Sequence, residues 1–98
     1  MPAPNSAIPT VLIDNAVTRV TEWRFAVGAA TGWHRHEYDY VVVPMTTGKL
    51  RIVDANDELV AELTECVPYY RQIGVEHDVI NVNDFAFCFI EIEFKEAR

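Results

Sequence analysis

Between Lys49 and Leu63 the chain reads KLRIVDANDELVAEL, two short runs in which every second residue is apolar, separated by the reversal DANDE. A period of two sends alternate side chains to opposite sides of an extended backbone. Leu50 and Ile52 therefore share one face, Leu59, Ala61 and Leu63 share another, and Lys49 and Arg51 look away. A helix does not bury that pattern, because its apolar positions recur at intervals of three and four. The segment predicts a hairpin, and it sets the expectation for the rest of the chain.

The same signature recurs. TVLI is brief and apolar, and in WRFAV the residues Trp23, Phe25 and Val27 share one face before VGAATG breaks the run. Residues 33 to 43 read as the next strand, stopped by Pro44 and the MTTG turn ending at Gly48. VPYYRQIG and HDVINV follow, and Asn83 and Asp84 turn the chain into a closing strand, FAFCFIEIEF. Many short strands with turns between them and no helical period describe an all-β sandwich, barrel or jelly roll. Three of the five prolines fall in the first ten residues, so residues 1–10 are expected to be an extended arm and residues 11–98 a single β-barrel domain. Ninety-eight residues, half of them apolar, suffice for one core and not for two.

The closing strand raises a question of cover. Cys88, Ile90, Ile92 and Phe94 form one apolar face, while the other reads Phe85, Phe87, Phe89, Glu91, Glu93. Taken as the outward face, those phenylalanines need shelter from water. A neighbouring subunit would provide it in a homodimer, or a second sheet would if the strand is central and buried on both sides.

Charge narrows the partners. Fifteen acidic residues against eight basic ones give a net charge of −7, and the basic residues are scattered singly. Phosphate backbones and anionic membranes are repelled by such a chain, so neither nucleic acid nor a membrane is expected as a partner. The opening MPAPNSAIPT has neither the basic start nor the apolar centre of a secretory signal, which places the protein in the cytoplasm. Cys66 and Cys88 read as two buried thiols, with a single bridge between them left open.

Two of the three histidines stand one residue apart, in GWHRHEYDYVVVP. On an extended strand His34 and His36 point to the same side with Arg35 turned away, which is a chelating arrangement, although two hydrogen-bonded histidines at a strand end have the same spacing. The third, His77, lies in GVEHDVIN after a glycine turn. These two segments resemble the cupin family. Gly74, His77 and Asn81 match its motif G-x-x-H-x-x-x-N, and His34 and His36 match the histidine pair of its other motif, roughly 40 residues earlier. The wording of GWHRHEYDYVVVP and GVEHDVINVNDF is most similar to small single-domain cupins associated with β-alanine degradation.

The resemblance, over about residues 20–94, implies a double-sheet jelly roll with a divalent transition metal ion (Fe, Zn, Ni or Mn) held by His34, His36 and His77. Where the family commonly has a glutamate ligand, this chain has Tyr40 and Val41. Asp39 and Tyr40 are therefore the candidates for a fourth ligand or for the pocket wall, Asp39 only if a bulge turns it inward. The family's second-motif proline is replaced by Gln72. A three-histidine site implies an enzyme acting on a small organic acid, by dioxygenase-like chemistry with iron or Lewis-acid chemistry with zinc. The alternatives are a non-catalytic small-molecule binding or sensing module and a structural subunit. Tyr38 and Arg71 are the candidate substrate-binding residues, Arg71 as the cation nearest the second motif, with Tyr69, Tyr70 and Gln72 beside it. No residue is singled out as the catalytic acid or base. Trp33 is expected to pack, and Asn81 to tie its strand to a loop.

Overall fold

Nine strands and no helix make up residues 5–95, the part of the chain that the computed structural model describes. In chain order they are β1 (Ile8–Asp14), β2 (Thr18–Phe25), β3 (His34–Arg35), β4 (Asp39–Pro44), β5 (Gly48–Val53), β6 (Glu58–Leu63), β7 (Tyr69–Arg71), β8 (Glu76–Asn81) and β9 (Phe87–Phe94). They build two antiparallel sheets, ordered β1-β2-β9-β4-β7 and β3-β8-β5-β6. The fold is all-β, as the alternation called for, and of the architectures that alternation left open it is the double-sheet jelly roll that the resemblance implied. No helix of the described residues is long and apolar enough to cross a membrane.

The KLRIV and LVAEL runs pair as expected, with Leu50 opposite Ala61 and Ile52 opposite Leu59. The reversal between them is tightened by Asp54, whose carboxylate accepts the N–H groups of Asn56 and Asp57 at 2.9 and 2.8 Å. β8 joins the other side of β5, placing Asn81 opposite Leu50 and Val79 opposite Ile52. Two inward rows thus cross three strands, Leu59–Ile52–Val79 and Ala61–Leu50–Asn81. At the start of β5 the Asn83 side chain accepts from the Lys49 N–H and donates to its carbonyl, both at 2.9 Å, and a side chain at Gly48 would meet it at 2.7 Å, so that position suits glycine.

β9 runs through the middle of the other sheet, between β2 and β4, and this settles the question of cover. Phe87 and Phe89 point inward, 1% and 5% exposed, against Phe25 and the facing sheet; the Phe25 and Phe89 rings are 5.4 Å apart and tilted. The outward face is instead Cys88, Ile90, Ile92 and Phe94, each half-buried. The aromatic face is therefore sheltered within the chain, and Phe85, 44% exposed, lies just before the strand. Each phenylalanine so buried contributes about 2–3 kcal/mol. Further along the same inward face come Glu91 and Glu93, in rows Thr21–Glu91–Val42–Tyr69 and Arg19–Glu93–Tyr40–Arg71. The interior is thus apolar at one end and polar at the other.

Three expectations need correction. The strand read over 33–43 is broken at 36–38 into β3 and β4, which belong to different sheets. Cys66 is exposed, with a positive φ of 66°, and Cys88 is half-buried; both are free thiols. The arm expected over 1–10 lies outside the described residues at 1–4, and from Ile8 onward it is already β1. β1 is an edge strand whose residues are all exposed, Ile8, Val11, Leu12 and Ile13 by 58, 55, 53 and 49%.

Candidate metal centre

Antiparallel pairing brings the two histidine segments together. β3 has only two residues, and in its register with β8 His34 stands directly opposite His77. Such partners share a face, with Cβ atoms about 5 Å apart. His36 lies just past the end of β3, and its backbone is hooked to the turn before β8. Its N–H donates to the Val75 carbonyl at 2.8 Å, and its own carbonyl accepts from Gly74 at 2.9 Å. Gly74 supplies a φ of +97° there, which a residue with a Cβ adopts only with strain.

The three rings converge on their Nε2 atoms. His34 Nε2 is 3.1 Å from His36 Nε2, which is 3.1 Å from His77 Nε2. His34 Nδ1 donates to the Gly32 carbonyl at 2.9 Å, so its hydrogen is on that nitrogen and its Nε2 lone pair is bare. His36 is 5% exposed; burial, then the neighbouring His34 and His77 rings, lower its pKa to about 3. Burial, then His34, lowers that of His77 to about 4. At neutral pH the His36 and His77 rings are therefore uncharged.

The donor set suits a first-row divalent ion. Nitrogens each about 2.1 Å from a common ion stand roughly 3.0–3.4 Å apart, which is the separation found. Neutral imidazoles are ligands for iron, zinc and nickel alike. The ligand atoms of the three histidines all lie within 4.8 Å of one another. A second buried group, His36 with Glu91 and Glu93, meets the same limit, but on the other side of the ring: His36 Nδ1 is 3.9 Å from Glu91 Oε2. Glu93 is claimed by Arg19, at 2.7 and 3.2 Å. Burial, reinforced by Glu93, raises the pKa of Glu91 to about 7.

The other sequence candidates divide. Tyr40 is inward and 2% exposed, and its ring stacks on that of His36 at 3.8 Å between centroids. Burial raises its pKa, so it remains a neutral phenol. Asp39 points away; its carboxylate accepts from the Tyr70 hydroxyl at 2.7 Å and from Ile73 N–H at 2.8 Å. No bulge turns it toward the histidines. Tyr38 also lies outside the cavity, with the Arg19 guanidinium 5.8 Å from its ring centre. Trp33 is 55% exposed.

Arg71 does line the cavity. It faces inward opposite Tyr40, its guanidinium carbon lies 4.6 Å from the centre of the Tyr69 ring, and its charge acts on His77. The cavity holds about 380 Å³ between the sheets, with the histidines at one end. A second hollow of about 310 Å³, toward β1 and β2, reaches His34 and His36 past Arg19 and Glu93. The sequence reading missed Glu91 and Trp23 as lining residues. Two acids in register with two core phenylalanines were the available signal, since a buried face that turns from aromatic to acidic marks where packing gives way to a cavity.

No family model matches the chain. The protein is 51% identical over 89 residues to the β-alanine degradation protein BauB of Pseudomonas aeruginosa, spanning 91% of this chain and 94% of that one. A crystal structure of a cupin domain from Bordetella pertussis Tohama I superposes with a TM-score of 0.92 at 55% identity, covering 98% of this chain and 99% of that one. A double-stranded β-helix protein from Klebsiella pneumoniae, at 18% identity, shares the fold with a TM-score of 0.78 over 97% and 82% of the two chains. Two antiparallel sheets enclosing a histidine cluster at one end define the cupin class. The chain belongs to the small single-domain cupins of the BauB family.

Proposed function

We propose that the protein is a metal-dependent enzyme of β-alanine degradation, acting on a small organic acid. The observation that carries this reading is the meeting of three histidine Nε2 atoms, 3.1 Å apart in two of the pairs, at the end of a cavity whose lining includes the exposed Arg71. The relative's name supplies the pathway. His34, His36 and His77 would hold a divalent transition ion such as Fe, Zn, Ni or Mn. When bound, such an ion supplies Lewis acidity, or with iron a route to oxygen chemistry.

The chain's own residues supply the rest. Arg71 pairs with the carboxylate of the acid and orients it toward the histidines, since a guanidinium offers two parallel donors to a carboxylate. Tyr40 fixes the plane of His36 by stacking, and the Gly32 carbonyl fixes the tautomer of His34. The apolar walls of the cavity exclude water around the bound acid. The test is turnover of candidate carboxylates by metal-loaded protein, followed by oxygen uptake and by product analysis. Arg71→Ala is expected to raise KM about tenfold with metal content unchanged. An unchanged KM refutes the role of Arg71, and binding without turnover of any acid reassigns the cavity to sensing.

We further propose a homodimer, now on β1 rather than on the aromatic face. Ile8, Val11, Leu12 and Ile13 are exposed on an unpaired edge, and pairing of two such edges about a twofold axis would cover them. Sedimentation at several concentrations is expected to show a dimer that Leu12→Lys weakens. A monomer at every concentration removes the proposal.

A further inference from the structure

The two acids that β9 carries into the interior differ in their partners. Glu93 is held by Arg19 through two contacts, at 2.7 and 3.2 Å. Glu91, 8% exposed, forms no ion pair with a lysine or arginine among the described residues; its ionisable neighbour is the His36 ring, 3.9 Å away and uncharged at neutral pH. A carboxylate buried without a cation is costly. The other acids of the cavity lining stand at its rim. Asp54 is exposed and already accepts the N–H groups of Asn56 and Asp57, and Glu76 is exposed and lies 3.9 Å from Arg35. Arg71 and Leu59, both exposed, edge the opening between β6 and β7, the outer strands of their sheets. β4 separates the strand of Arg71 from β9, and its Nη1 donates to the Tyr70 carbonyl at 2.9 Å.

Aromatic residues flank the buried acid. Phe89 is two residues before Glu91 on the same face of β9, and Trp23 is the register partner of Phe89 on β2. Both line the cavity with Glu91, and the indole N–H of Trp23 is buried without a hydrogen-bond partner. Glu91 also lines the second hollow, toward β1 and β2, so it stands between the two spaces. A carboxylate beside aromatic rings suits an ammonium group, which pairs with the first and is attracted by the faces of the second. One imidazole sets the distance to the histidine cluster. Glu91 Oε2 lies 3.9 Å from His36 Nδ1 and Nε2 is across the same ring, so the carboxyl oxygen and that Nε2 are at most about 6 Å apart. An amine against Glu91 and a carboxylate at the histidines are thus joined by about one to three carbons.

We propose that Glu91, flanked by Trp23 and Phe89, is the seat of an ammonium group, and that the ligand is a short amino acid whose amine lies against Glu91 and whose carboxylate points to the histidines. This names the substrate class of the site proposed above and rests on that reading. An acid with an uncharged tail would leave the buried carboxyl without a cation. Asp54 and Glu76 add negative charge at the rim, which favours a ligand that carries a cation over a diacid. The group of His36 with Glu91 and Glu93 has the spacing of a second metal site, but Arg19 already occupies Glu93.

Calorimetric titration of the metal-loaded protein with β-alanine, propanoate and 6-aminohexanoate tests the proposal. β-Alanine is expected to bind about tenfold or more tightly than propanoate, which lacks only the amine, because that amine forms a charged hydrogen bond in a buried site. With its amine too far from its carboxylate, 6-aminohexanoate should bind no better than propanoate. Glu91→Gln keeps the shape and removes the charge; β-alanine should then bind as propanoate does, with metal content and propanoate affinity unchanged. Glu76→Gln, which removes a charge from the rim, should leave the preference in place. Trp23→Leu should weaken β-alanine and not propanoate, and it serves as the second variant if Glu91→Gln does not fold. Equal affinities for β-alanine and propanoate in the parent overturn the proposal. So does a preference that survives Glu91→Gln, which places the amine elsewhere, or one lost equally in Glu76→Gln, which makes it an effect of overall charge. Turnover measured on the same samples separates the two readings: an amine preference without turnover of any acid sinks the enzyme and upholds the ligand class, and turnover without an amine preference does the reverse.

Discussion

Purified without a histidine tag, the protein is expected to carry one divalent transition ion per chain, and its His77→Ala variant none. His34 and His36 alone leave two donors. Loss of a direct ligand should exceed the roughly 10–100-fold decrease in metal affinity that follows from removing an outer partner. Competition by protons is not the reason for the loss, because burial already keeps the pKa of His36 near 3. Metal affinity at neutral pH therefore reads the ligand set directly. The variant should still fold, since His77 borders a cavity and the truncation enlarges a space already open. Circular dichroism checks this, and added metal should raise the unfolding temperature of the parent and leave that of the variant where it was. Metal-free parent protein that takes up no ion, or a variant as fully loaded as the parent, would falsify the assignment of the three histidines.

The second large effect concerns stability. Asn81→Ala is expected to lower the unfolding free energy by about 3 kcal/mol or more, measured as a shift in urea midpoint at constant slope. Asn81 is 1% exposed. Its amide nitrogen lies 3.3, 3.1 and 2.9 Å from the carbonyl oxygens of Phe25, Ala26 and Phe85, and its oxygen accepts from the Asn83 backbone and side chain at 2.9 and 2.7 Å. One side chain thus joins β2 and the turn before β9 to β8. Alanine would remove all five contacts at once and leave the buried Phe25 carbonyl without that donor. A loss below about 1 kcal/mol would show that the carbonyls find other donors.

The sheets were legible because alternation is a local property. KLRIVDANDELVAEL paired in the register its pattern required, and every later strand lay where turn residues bounded it. What alternation does not convey is which face is inward. Phe87 and Phe89 were read as a face needing cover from a neighbouring subunit or from a second sheet, because the opposite face, Cys88 to Phe94, is apolar throughout; the central place of β9 between β2 and β4 supplies the second and brings Glu91 and Glu93 inside. The break at 36–38 was hidden for a similar reason. Local spacing made 33–43 one strand, whereas the chain has to cross from one sheet to the other there. The histidines survived that error. His36 is held by Val75 and Gly74 through its backbone, which restores the convergence that a straight strand would have given. Tyr38 did not, because its orientation depended on an uninterrupted alternation.

Because β9 has neighbours on both sides, each inward residue along it is answered by two others, from Phe87 in the packed interior to Glu93 beside Arg19 and Tyr40. A change there must be accommodated on both flanks at once. Leu59 and Arg71 belong to strands with one free margin, so they are where descendants of this chain can acquire new ligand preferences without refitting the scaffold.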